Sequence, residues 1–413
     1  MEKNVRLQIT KFSLYGLLKN LRFFEPFMLV YFLSSGLNLF QVGLLFSIRE
    51  IIIYIFEIPS GVIADRYGKK TELIICFLFY IASFILFFFA YNFLLFASAM
   101  GLFALGEAFR SGTHKAMIMS YMDKHDIKSS KTKIYGLTRS YSLIGSMIAS
   151  LVSIVLVLWL PDIKYLFLAA IIPYVIDLLM VLTYPNELNE RRDATFDMKS
   201  FLKNNYLSII YVFKHKKVRN AVFNSSSYQA FFKAIKDYIQ PILLTFTTTY
   251  LIFNNFNESE HQKIYIGIMY AFIYLVSAFS SRQAHQLQKL GSERKIVSWM
   301  WLLTGIGLFI ISFTLSSIFV VSAMFLIFYV IMNLRKPIMV DIIGEVTDDD
   351  KRATVLSVEA QTASLMIAIA APIIGYIAEI SMSSLFIGLS ILMFLIFIGS
   401  IMRKGEKNER ISI

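Results

Sequence analysis

Apolar residues run along this chain in long blocks separated by short polar connections. Twelve blocks stand out, at approximately 10–33, 40–64, 72–90, 93–119, 134–158, 163–184, 217–248, 263–281, 296–313, 317–343, 353–378 and 384–402. A helix of about 20 apolar residues crosses a ~30 Å hydrocarbon core. The pattern therefore predicts an all-α polytopic membrane protein with twelve transmembrane helices. The longest polar connection divides the blocks six and six. It implies an N-terminal six-helix bundle over 1–184, a cytoplasmic linker over 185–216 and a C-terminal six-helix bundle with a short tail over 217–413. Within the linker, Tyr206 to Phe213 reads as a short amphipathic helix lying on the membrane surface.

Charges interrupt the apolar blocks at particular places. KNLRFFEP, Lys19 to Pro26, puts Lys19, Arg22 and Glu25 inside the first block. KAIKDYIQP, Lys233 to Pro241, repeats that order of two basic residues, an acid and a proline inside the seventh. A repeat at the first block of each half fits the parallel six-helix repeats found in one large class of secondary transporters. Pro26, Pro241 and Pro337 each remove a backbone donor beside a charge cluster and permit a bend there.

Composition excludes a soluble globular protein. The chain is 57% hydrophobic and 16% charged, against about 45–50% and about 25% for soluble domains. The net charge of +12 would suggest nucleic-acid binding in a soluble chain, but its placement argues otherwise. Basic residues gather in alternate connections: Arg66, Lys69 and Lys70; Lys124, Lys128, Lys131 and Lys133; Lys289, Arg294 and Lys295; and the tail from Arg403 to Arg410. The opposite connections SSGLN, AYN, WLPD and EIS hold no Lys or Arg. This positive-inside asymmetry places both termini in the cytoplasm and the chain in the cytoplasmic (inner) membrane as a multi-pass protein. The charge is topological, and no nucleic-acid partner follows from it. Cys76 is the single cysteine, so no intrachain disulfide and no thiolate zinc cluster can form. No metal site, cofactor motif or catalytic constellation is read, which argues against an enzyme.

The connection after the second block reads PSGVIADRYGKK, Pro59 to Lys70. It resembles the signature of the major facilitator superfamily: Gly61, three residues, Asp65 and Arg66, any residue, Gly68, then Lys69 and Lys70. Gly61 would let another helix approach, and Asp65 could accept hydrogen bonds at a neighbouring helix N-terminus. Arg66 could pair with an acid in the bundle, and Gly68 permits the turn. The resemblance implies that this cluster latches a cytoplasmic gate. The matching loop of the second half, Ser280 to Lys295, keeps Gly291, Arg294 and Lys295 but has His285 where the aspartate would stand. In the fourth block, Ala108 occupies the place where many proton-coupled exporters of the family carry an arginine four residues before a glycine.

The resemblance also implies that helices one, four, seven and ten line a central cavity. The charges fall there: Lys19, Arg22 and Glu25; Glu107, Arg110, His114 and Lys115; Lys233, Lys236 and Asp237; Arg335, Lys336 and Asp341. The sixth block holds one charge, Asp177. A charge at the centre of a membrane helix costs at least ~2.5–3.5 kcal/mol, so such residues face protein or water. At 100° per residue, Glu107, Arg110 and His114 share about 60° of arc, and Lys233, Lys236, Asp237 and Gln240 about 100°. Two readings stay open. The charges bind solute, with Lys19, Arg22, Glu25, Arg110, His114, Lys233, Lys236, Asp237 and Arg335 as the substrate-binding set. Or they neutralise one another, as Arg22–Glu25 and Glu107–Arg110 could at i,i+3.

The expected function is a secondary active transporter moving a small organic solute, anionic or zwitterionic, by alternating access. The excess of cations on the first and seventh blocks argues for the solute's charge. Protons are the expected coupling ion, through Glu107 with Glu25 or Asp237 as alternates, and the resemblance leans toward efflux. A monomer in the lipid bilayer suffices. An uptake permease for an organic anion, a phospholipid or lysophospholipid flippase and a non-transporting sensor remain alternatives.

Overall fold

The computed structural model describes residues 3–110, 112–125, 131–189, 206–207, 209–245, 257–288, 292–348 and 351–409. Most of the linker, residues 289–291 with Gly291, and the side chains of Asp65 and His285 lie outside the described residues. The remainder is helical, with no strand among the described residues. Among the described residues, ten helices are long and apolar enough to cross a membrane, and they match the predicted blocks two to six and eight to twelve. The first and seventh blocks differ: each is split in two at its charged string.

In the first block, α1 (Lys3–Lys19) ends at the first charge of KNLRFFEP, a 3-10 turn covers Glu25–Phe27, and α2 is Met28–Ser34. Pro26 cannot donate a backbone hydrogen bond, so the Arg22 carbonyl accepts from Glu25 N at 3.0 Å instead. The seventh block repeats the device. There α9 (Lys216–Ile235) gives way to a 3-10 turn at Lys236–Tyr238 before α10 (Ile239–Leu244), with Pro241 in the first turn of α10 where no donor is required. The third proline behaves otherwise. Pro337 lies within α13 (Ile318–Val346), which continues through it.

Blocks two to six form α3 (Leu39–Tyr67), α4 (Lys69–Phe89), α5 (Phe93–Arg110) continued by α6 (Thr113–Lys124), α7 (Lys131–Trp159) and α8 (Tyr165–Leu182). Blocks eight to twelve form α11 (Glu258–Gln288), α12 (Glu293–Phe313), α13, α14 (Arg352–Ile380) and α15 (Met382–Glu409). The residues group into two compact units. One comprises Met1–Leu37, Leu44–Lys203 and Thr248–Leu275, and the other Asn38–Gly43, Asn204–Thr247 and Val276–Ile413. Inside the first unit, α4 packs on α5 and α8, and α1 packs on α7 and α8. Inside the second, α12 packs on α13 and α15, and α9 packs on α14 and α13. Three of these pairings recur between the units at equivalent blocks: three on four, three on six, and one on five.

Candidate functional site

The interruption of the first block decides where its charges go. Beyond α1 the chain leaves the helical ladder, and Arg22 turns into the first unit between α4, α5 and α8. Its Nε donates to the Tyr174 hydroxyl at 2.7 Å, its Nη2 donates to the Tyr80 hydroxyl at 3.4 Å, and Nη2 also forms an ion pair with Glu107 Oε1. Glu107 is held from the other side as well, by Arg110 Nη2 on its Oε2 at 2.6 Å. Tyr80 completes the cluster, donating to Glu107 Oε1 at 2.6 Å and accepting from Arg110 Nε at 3.2 Å. The Tyr174 hydroxyl donates onward to the Lys19 carbonyl at 2.8 Å, tying the end of α1 to α8. Gly106 makes room for this arrangement: a Cβ there would stand 2.9 Å from the Tyr80 ring.

Two guanidiniums, one carboxylate and two neutral phenols leave the cluster with one positive charge in excess. Its ionic side chains are partly open, with 13% of Arg22, 17% of Glu107 and 27% of Arg110 exposed, whereas the Tyr80 and Tyr174 rings are fully buried. The Arg22 guanidinium also lies 5.1 Å from the Phe103 ring centroid, a cation–π contact that costs no additional charge.

Other expected site residues are placed differently. His114 does not share an arc with Glu107 and Arg110, because α5 stops at Arg110 and α6 starts after Gly112 at φ +79°. The His114 ring instead stacks on Tyr15 at 3.6 Å between centroids, inside an aromatic nest with Phe12. Arg22 finds its ion-pair partner in Glu107 on another helix, and Glu25 opens the 3-10 turn.

In the second unit, Lys236 forms an ion pair with Asp237 at 2.9 Å, one turn beyond Lys233. Arg335 is 2% exposed and walled in. It donates to the Val297 carbonyl at 2.8 Å and to Asn224 Oδ1, and lies 4.3 Å from the Tyr228 ring and 5.1 Å from the Trp301 ring.

The gate motif is seen in part. Gly68 adopts φ +95°, as a turn between α3 and α4 requires, and Lys70 Nζ donates to the Tyr184 carbonyl at 2.9 Å. Arg66 lies over the Tyr67 ring at 5.4 Å instead of joining an acid. Gly61 is exposed, and no described atom lies within 4 Å of where its Cβ would stand, so the expected close approach of a helix is not made in this conformation.

Several buried polar residues were not predicted as site residues. Glu359 on α14, 8% exposed, accepts from Ser225 Oγ at 2.6 Å and from Gln229 Nε2, while Ser226 Oγ donates to its carbonyl at 2.7 Å. Its signal in the sequence was a lone acid inside the eleventh apolar block. Tyr80 and Tyr174 gave no signal, since tyrosines in apolar blocks read equally well as lipid-facing or core residues.

The sequence model of the Major Facilitator Superfamily matches residues 20–287, more than half of the 413-residue chain. An uncharacterised MFS-type transporter of Bacillus subtilis (strain 168), YxaM, is 31% identical over 124 residues, covering 30% of this chain and 31% of that protein. The match thus spans under a third of that relative's length. Among solved structures, the nucleoside transporter NupG superimposes with a TM-score of 0.76 at 13% identity, covering 96% of this chain and 99% of that one. A POT family transporter in complex with 5-aminolevulinic acid gives 0.73 at 15% identity over 97% and 95% of the two chains. These likenesses show the same fold. Together with the family match and ten apolar helices, they establish that the chain is a polytopic membrane protein belonging to the Major Facilitator Superfamily.

Proposed function

We propose that this protein is a secondary active transporter that carries a small anionic or zwitterionic organic solute out of the cell by alternating access, in exchange for protons. Membrane transport follows from the family; the solute's charge, the direction and the coupling are the proposal. The supporting observation is the single carboxylate of Glu107 held between Arg22 and Arg110, both partly exposed. An incoming carboxylate or phosphate can take over one guanidinium as Glu107 keeps the other, so no buried charge is stranded during the exchange. Arg22 is the arginine to be taken over, because it sits in the unwound part of the first block, where the backbone can shift without breaking a helical ladder. The positive loops support a cytoplasmic-membrane location with both termini inside. The division into bundles over 1–184 and 217–413 is part of the proposal, and the pairings three on four, three on six and one on five that recur at equivalent blocks support it.

Reconstitution into proteoliposomes, with a panel of labelled organic anions, zwitterions and cations under an imposed pH gradient, tests this reading. The expected result is gradient-dependent movement of one or more anionic or zwitterionic solutes, reduced at least tenfold by Arg22→Ala. Movement of cations alone, or of anions without response to the gradient, contradicts it.

A further inference from the structure

Asp177 sits in the last third of α8 with no exposed surface, and neither carboxylate oxygen has a hydrogen-bond partner. The polar groups around it are also unsatisfied. The buried hydroxyls of Tyr15 on α1 and Tyr184 beyond the end of α8 make no hydrogen bond, nor does Nε2 of His114 on α6, whose ring stacks on Tyr15. Tyr15 and Tyr184 both lie within electrostatic reach of Asp177. From α4 the Cys76 thiol, within electrostatic reach of Tyr15, donates to the Gly106 carbonyl at 3.2 Å. The charged group that acts on Asp177 is Lys19, the last residue of α1, and the two are too far apart for an ion pair. Arg22 and Arg110 are engaged with Glu107. The described titratable groups of α7, which also touches α8, are Arg139 and Tyr141, and neither acts on Asp177.

An ionised carboxylate removed from water with no donor pointing at it takes up a proton instead of remaining charged. A buried acid inside a membrane protein is a functional group unless a partner explains it, and here no partner does. What distinguishes Asp177 is its connection to the solute cluster. Tyr174, one helical turn before it on α8, holds the Lys19 carbonyl at 2.8 Å and accepts from Arg22 Nε at 2.7 Å. Tyr174 thereby links the unwound segment that carries Arg22, and the Lys19 at its start, to the helix that carries Asp177. Glu107 is poorly suited to carry the proton, because both of its oxygens already accept from guanidiniums.

We propose that Asp177 is the site of the coupling proton: it is a neutral acid in the conformation described, and Lys19 closes on it as an ion pair once the proton leaves. In the step the Asp177 O–H bond breaks, the proton passes to water admitted from one side of the membrane, and the Lys19 ammonium compensates the carboxylate charge that forms. This deepens the proton-exchange reading above and rests on it.

The test is infrared spectroscopy of the purified chain in lipid nanodiscs as pH is varied. The wild type should show a neutral-carboxyl band at neutral pH that Asp177→Asn removes and Asp177→Glu displaces. Lys19→Met should leave that band in place across the alkaline range in which the wild type loses it, and Glu359→Gln should not remove it. An unchanged band in both Asp177 variants, or one removed by Glu359→Gln alone, overturns the assignment. Asparagine is the isostere of the neutral acid, and the glutamate variant supplies a second readout should the asparagine variant fold poorly. The spectra need no solute, so their failure is separate from failure of the transport screen.

Discussion

Glu107 in the first unit, largely enclosed, and Glu359 in the second, buried, are both carboxylates inside apolar helices, yet they are held by different chemistry. Glu107 is gripped by two guanidiniums and a phenol. Glu359 accepts from a hydroxyl and an amide, and no described cation comes within ion-pair distance. The buried cation of the second unit, Arg335, is kept elsewhere, against Asn224, Tyr228 and Trp301, and has no carboxylate partner. Around Glu107 the first unit thus gathers opposite charges into one cluster, whereas Glu359 and Arg335 of the second are served separately along α9, Asn224 bonding the cation and Ser225 and Gln229 the acid. Removing one member of a gathered set strands the others, whereas removing one member of a dispersed set costs little beyond its own hydrogen bonds.

That contrast sets an order of effects. Glu107→Ala leaves two largely enclosed arginines without their shared carboxylate and should cost the most, up to about 3–5 kcal/mol, read as the drop in thermal unfolding temperature of the purified protein. Tyr80→Phe removes one hydroxyl that serves Glu107, Arg22 and Arg110 together. It should cost about 1.5–3 kcal/mol, the range for hydrogen bonds to charged groups, in the same assay. Arg335→Met keeps an unbranched apolar filler against Tyr228 and Trp301 but leaves the Val297 carbonyl without its donor, for about 1–3 kcal/mol. Glu359→Gln should be close to neutral, under about 1 kcal/mol, because an amide oxygen can still accept from Ser225. A Glu359→Gln effect as large as that of Glu107→Ala would show that the second unit holds an ionic lock after all.

The smallest effect is expected outside the membrane. Hydrogen bonds from Lys351 and Tyr211 hold the exposed Asp348 carboxyl below its usual value. The sign is that of a depressed acid: this contact is present above the ordinary carboxylate range and is lost as pH falls through the lowered value. Asp348→Asn should therefore flatten a weak acid-side change in the environment of Tyr211, followed by its NMR signal, without altering unfolding temperature at neutral pH.

Much of this arrangement was legible in the sequence, and the exceptions have physical causes. The charged strings beginning at Lys19 and Lys233, each closed by a proline that lacks a backbone donor, marked two of the places where helices are interrupted. The positions of Arg22, Glu107 and Arg110 were legible from the cost of intramembrane charge. The Glu107–Arg110 pair at i,i+3 was legible too and is formed at 2.6 Å, but the Arg22–Glu107 pair was not. An i,i+3 contact between Arg22 and Glu25 presumes regular helix, and the unwound segment changes the direction of Arg22 toward α5. His114 left its expected arc for a similar reason, since a glycine at positive φ resets the phase between α5 and α6. Asp177 was visible as a lone charge, but nothing in one strand of sequence could show that no donor would face it.

The account turns on whether Arg22 receives the solute or merely neutralises Glu107. Solute binding to Arg22→Ala, Glu107→Ala and the Arg22→Ala/Glu107→Ala double variant, compared with the wild type for an anion selected in the transport screen, separates these directly. If Arg22 is a receiving group, binding should fall at least tenfold in Arg22→Ala and stay lost in the double variant, even as the double variant regains thermal stability over Glu107→Ala. Full binding and transport in the double variant would contradict the account and reduce the cluster to a structural ion pair.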